Sequence, residues 1–141
     1  MIKKLLLNIG MLILSNVGFS IGISDSIPCD KPFIDSVSKV QYFIIVDSMP
    51  EYPGGQREMM NFFIANFKYP AKVDACCSVY VSFIIDTSGN MIDLKIVRGL
   101  QEDFDNETLR VMRLMPKWKP GKCNGHLVNV KLTFPIRIAL L

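Results

Sequence analysis

At 141 residues, half of them apolar, the chain has room for one domain with a real core plus an N-terminal processing segment. The net charge is only +3, and two of the positive charges, Lys3 and Lys4, fall in the segment read below as a targeting signal. That leaves no basic footprint for nucleic acid.

Residues 1–24 read as an export signal. Lys3 and Lys4 form a positive start, Leu5 to Leu14 a short apolar run, and Gly18/Ser20 and Gly22/Ser24 offer small-residue cleavage sites. Residues 5–23 also approach the ~17–25 needed to span a bilayer, so an N-terminal membrane anchor is the alternative. In both cases the remainder leaves the cytoplasm. Residues 25–46 read as a linker or arm, punctuated by Pro28 and Pro32, with a leading strand over Val40–Val46. The stretch before Cys29, Ser26-Ile27-Pro28, makes a poor lipoprotein acylation motif.

Asp47–Gly55 turns through two prolines and two glycines. Gln56–Phe67 then spaces Met59, Met60, Phe63, Ile64 and Phe67 as one helical core face. Tyr69, standing before Pro70, is biased away from helical angles and ends that helix. Ser78–Asp86 and Met91–Val97 read as two strands joined by a glycine-containing hairpin loop. A second helix spans Glu102–Met115, with Asp105 as N-cap and a Phe104–Leu109 hydrophobic staple, and Pro116 stops it. The turn Pro116–Gly121 leads into a strand whose apolar residues alternate from Val128 to Ile138. Pro135 within it has no N–H to donate and belongs at a sheet edge. Lys131 and Arg137 are the kind of charges edge strands carry. Asn129–Arg137 therefore reads as an edge strand to which an extended peptide can add itself.

No residues assemble into catalytic or metal chemistry. His126, the single histidine, stands three positions after Cys123, but the pair lacks the further ligands of a zinc site and the orienting group of a thiol enzyme. A thiol enzyme built on Cys123 and His126 is the rival from another class. The chain reads as a non-enzyme without cofactor. Four cysteines in an exported chain suggest disulfides. The readings are Cys76 or Cys77 with Cys123 and the other with Cys29, or a single bridge with two free thiols; a bond between the neighbours Cys76 and Cys77 is sterically awkward.

Several ordered motifs resemble one family. Met49–Gly55 (MPEYPGG), Tyr69-Pro70, Val79–Gly89, Val97–Gly99 (VRG) and Met115–Lys122 (MPKWKPGK), followed by the last strand, look like the C-terminal domain of TonB-family proteins from about Asp47 to the end. The resemblance implies an α+β fold in which two helices pack on a small antiparallel sheet, in the order strand, helix, hairpin, helix, strand, over residues 47–141. It implies a periplasmic domain that binds the TonB box of outer-membrane TonB-dependent receptors by strand addition, powered by an inner-membrane proton-driven complex. Partner-peptide contacts would then come from Tyr69, Pro70, Trp118, Asn129, Val130, Lys131, Leu132, Thr133, Phe134 and Arg137. Two departures stand out. The connection from Ala71 to Ser78 is shorter than the family's. Only about 16 residues separate Ile23 from Val40, roughly 55 Å when fully extended. The alternative reading is an exported, non-transducing interaction module that pairs or forms a homodimer through the same edge.

Overall fold

A computed structural model describes residues 29–71 and 78–137. The signal-like segment, Cys76, Cys77 and Ile138 lie outside the described residues, and so do the readings that fall on them.

Strand β3 (Ser78–Ile85) explains the architecture. Its sequence, SVYVSFII, is apolar at almost every position, the pattern of a strand covered on both faces. It is the centre of a three-stranded antiparallel sheet, ordered β4-β3-β7, with β4 at Met91–Arg98 and β7 at Val130–Arg137. On one face Val79, Val81, Phe83 and Ile85 are fully buried. They form a single core with Met59, Phe63 and Phe67 from the α1 segment and with Phe104, Val111 and Met112 of α2. Helix α1 spans Gly55–Asn66 and α2 spans Glu102–Arg113. The class is α+β.

The second face of β3, with Ser82 and Ile84, is buried as well. Its cover is the N-terminal arm, residues 29–46. The leading strand expected over Val40–Val46 shrinks to β2 (Gln41–Tyr42), which pairs with β1 (Phe33–Ile34) in a small hairpin of its own. Asp35 organises that hairpin's turn by accepting the N–H groups of Val37 and Ser38, both at 3.0 Å. Its carboxylate also faces Lys95 of β4 at 3.5 Å and Lys131 of β7 at 3.9 Å, straddling the sheet. These backbone N–H groups, Ser38 first, hold the Asp35 carboxyl well below the usual carboxylate range.

Two motifs distant in sequence are joined backbone to backbone. Glu51 exchanges hydrogen bonds with Lys119 (3.0 and 2.8 Å), and Ser48 does so with Lys122 (3.1 and 2.8 Å). A short hairpin, β5 (Gly121–Cys123) and β6 (His126–Val128), then feeds β7. Val128 therefore belongs to that hairpin and not to the long strand. The bond between Cys29 and Cys123 ties the arm to the same hairpin, with Cα atoms 5.9 Å apart. This overturns the pairing of Cys123 with Cys76 or Cys77, because tertiary contact decides which sulfurs meet. It also commits the Cys123 sulfur, which is not a free thiol beside His126 while the bond is closed.

The helix ends differ from expectation in an instructive way. Helix α2 begins three residues before Asp105, with Gln101 as its N-cap and no side-chain cap bond. Asp105 instead works from inside the helix, reaching back to accept the Leu100 N–H at 3.0 Å. Phe104 lies inside the helix and not ahead of its N-cap, so the expected staple does not form, and its ring enters the core. Glu107 accepts the N–H of Lys68 at 2.7 Å, while Arg110 donates to Glu107 and to the Asn66 carbonyl, at 2.7 Å. This fastens α2 to the end of α1. The Arg110 hydrogen bond, aided by the Lys68 N–H, lowers the Glu107 carboxyl to about 2.

Candidate functional site

Backbone direction along β7 defines what its outer rim offers. In an antiparallel strand, the N–H and C=O of one residue point to the same side, and successive residues alternate. The Asn129 carbonyl and the Lys131 N–H both point away from β3, since Phe43 takes them at 2.9 and 2.8 Å. By alternation, Thr133, Pro135 and Arg137 also turn their backbone groups outward, while Val130, Leu132, Phe134 and Ile136 turn theirs toward β3. Pro135, which has no N–H, thus stands where no internal bond is lost, opposite Tyr80. The uncovered rim presents the Lys131 carbonyl, both groups of Thr133, the Pro135 carbonyl and the Arg137 N–H.

The edge is therefore shorter than the sequence suggests. Phe43 forms a parallel bridge with Val130 and closes the start of the strand. Asn129 is engaged further, its side-chain amide donating to the Gln41 carbonyl at 2.9 Å. The Lys131 ammonium lies 4.6 Å from the centroid of the Tyr42 ring. Thr133, Pro135 and Arg137 are exposed.

Side chains on the helix face of β7 border an apolar groove between this strand and α1. One depression of about 110 Å³ is bounded by Met60, Phe63, Phe134 and Ile136. Its continuation, of about 100 Å³, brings together Ile64, Tyr69 and Arg137. Tyr69 stands edge-on to Phe67, 5.3 Å between centroids, and remains half exposed at 49 %. Pro70 follows it, half buried. Tyr69 and Arg137, distant in sequence, thus meet at the open end of the rim. Met60 and Ile64, expected in the core, are instead exposed in this groove.

Trp118, Val130 and Leu132 do not lie on the surface. Trp118 is 5 % exposed and packs among Tyr52, Phe83 and Phe134, with centroids 5.6, 5.5 and 6.2 Å away. Its backbone N–H donates to the Gly89 carbonyl at 2.8 Å. Gly89 has φ +85°, and a Cβ there would overlap the Trp118 carbonyl oxygen, so this hairpin position requires glycine. Trp118 supports Phe134 from beneath and contributes no side-chain surface to the rim. Its neighbours Lys117 and Lys119 are exposed, and that in-out alternation was the available signal for its burial. The blocking of the edge by Phe43 had no comparable signal.

Residues 65–140 match the family model described as the C-terminal of the Gram-negative bacterial TonB protein. No curated protein matches the chain, and no solved structure does.

Proposed function

The chain belongs to the Gram-negative bacterial TonB C-terminal family, a non-enzymatic, transport-associated group, and from that premise we propose that it docks the TonB box of outer-membrane receptors along β7. The box adds as a strand to Thr133–Arg137 and places alternate side chains over the groove beside Met60, Ile64 and Tyr69. The domain works in the periplasm as a TonB-like energy transducer, coupled to an inner-membrane proton-driven complex. The observation that carries this reading is the uncovered outer rim of β7, lying against an apolar groove. Main-chain bonds to such a rim supply affinity, and a groove flanking it supplies specificity for every second side chain.

The test is a titration of the chain with a panel of TonB-box peptides, followed by amide NMR. Saturable shifts centred on Thr133 and Arg137, with new protection of those two amides, are expected. Absence of saturable binding by every peptide sinks the transporter-linked reading. Dimerisation that blocks the same two amides would replace it with self-pairing.

A further inference from the structure

The arm, residues 29–46, buries little of its own apolar surface. Phe33, Ile34, Val37, Ile44 and Ile45 are all exposed, with Val37 at 87 %, and Val46 is its main contribution to the core. Beside the partly buried Phe43, which packs against the core, what holds it on the sheet is a set of polar contacts converging on the start of β7. These are the Phe43 bonds to Asn129 and Lys131, the Asn129 amide on Gln41, and the Asp35 carboxylate facing Lys95 and Lys131. Ion pairs and short ladders of this kind, half open to solvent, break readily one by one. The covalent contact is different. Cys29–Cys123 closes a span of 94 residues and pins the arm's far end to the hairpin that runs into β7. Both cysteines are half exposed, within reach of a reductant.

We infer that the arm is a built-in competitor for the docking edge and that the Cys29–Cys123 bond is the clasp keeping it there. The inference rests on the strand-addition reading of β7. With the clasp closed, Phe43 occupies the pairing groups of Asn129 and Lys131, so an incoming strand starts beyond them and meets the gap at Pro135. With the clasp open, the arm lifts by local opening, and those two groups join the rim, extending it over Asn129–Arg137. A dithiol supplies the two electrons. One of its thiolates attacks a sulfur of the Cys29–Cys123 bond, its second thiol resolves the mixed disulfide, and Cys29 and Cys123 leave as thiols carrying its two protons. The dithiol departs as its own disulfide.

Amide hydrogen exchange on the full chain, oxidised and as the C29S/C123S double variant, tests the clasp. The amides of Phe43 and Lys131 should exchange at least about tenfold faster in the variant, while those of Leu132 and Ile136, turned toward β3, keep their protection. Unchanged fluorescence from Trp118, the single tryptophan, certifies the intact core. Full protection of Lys131 in the variant overturns the inference. A TonB-box peptide lengthened at the end that reaches Asn129 should bind the variant at least about fivefold more tightly than the oxidised chain. Equal affinity for the two forms overturns the competition. Release of the Lys131 amide without peptide binding in either form refutes the strand-addition reading while leaving the clasp established.

Discussion

The sheet has two outer edges, and they are built differently. Strand β7 pairs with β3 over eight residues in unbroken register, from Val130 opposite Ile85 to Arg137 opposite Ser78. Strand β4 loses register twice. Phe83 alone stands opposite Asp93 and Leu94, and Val97 is an extra residue between the Tyr80–Arg98 and Val81–Ile96 pairs. Asp93 takes a left-handed conformation, φ 50°, and pairs with Lys95 at 3.0 Å. Bulges bend a strand and turn its backbone groups out of line, and charges on the rim repel casual pairing. The β4 edge is thus closed by shape and charge. The β7 edge is straight, and it is closed only where the arm lies on it. A chain that exposes one edge and spoils the other steers an added strand to one side.

The largest effect on this arrangement comes from the strand both edges share. Phe83→Ala removes a fully buried ring packed against both Trp118 and Phe134 and should cost about 3–5 kcal/mol, read as a lower denaturation midpoint. A loss under about 1 kcal/mol would show that β3 is not the common support. Next comes the edge itself. Thr133→Pro removes an outward N–H without touching the β3 ladder, so it should weaken box-peptide binding about tenfold with the fold unchanged. Val97→Lys, on the bulged edge, should leave affinity within about twofold. Equal weakening by both would erase the distinction between the edges.

Acid provides a third, graded test. Asp35 and Glu107 both have carboxyls depressed in the folded state, Glu107 from 4.5 to about 2. Groups of this kind contribute their full stability above their unfolded values and lose it as pH falls through the folded ones. Stability should therefore decline as pH drops from about 4.5 toward 2, with a falling protection factor at the Lys131 amide as protonation of Asp35 favours the opened arm. A flat profile over that interval would show that Asp35 does not hold the arm across the two edges. The smallest effect is expected at the bulge. Asp93→Gly relieves a left-handed residue but gives up an exposed ion pair and backbone restraint, for a net change within about 0.5 kcal/mol in a denaturant titration. A larger gain would mean that the bulge stores strain.

Local patterns made much of this readable. The alternation in β7, the apolar run of β3, the helical spacing of Met59, Phe63 and Phe67, and the position of Pro135 all follow from the period of one element. What stayed hidden depends on two segments meeting. Phe43 reaches Val130, Ser48 reaches Lys122 and Glu51 reaches Lys119 through isolated bridges that carry no periodic signature. The Cys29–Cys123 pairing belongs to the same class, since four cysteines allow several connectivities and only the fold selects one. Asp105 shows an intermediate case. An acid near the start of α2 was legible, but its register was not, because it caps by reaching backward. At the candidate site, Thr133 and Arg137 were readable from alternation and resemblance, whereas the blocked first third required the arm's path.

The Cys29–Cys123 bond has a mechanical meaning as well. Tension applied to the chain ahead of Cys29 does not travel through residues 30–122 in turn; the covalent link delivers it directly to Cys123, a few residues before β7 begins. Both helices and strands β3 and β4 lie inside the bypassed loop, so no tension passes along their backbone from the arm while the bond holds. The pull instead enters through the β5–β6 hairpin and runs along β7, whose eight-residue register with β3 resists it in shear. A strand carried on the outer rim of β7 would then feel the force through the element that is itself directly hauled. Breaking the bond would send the same load through the arm, which short ladders and half-open ion pairs hold on the sheet.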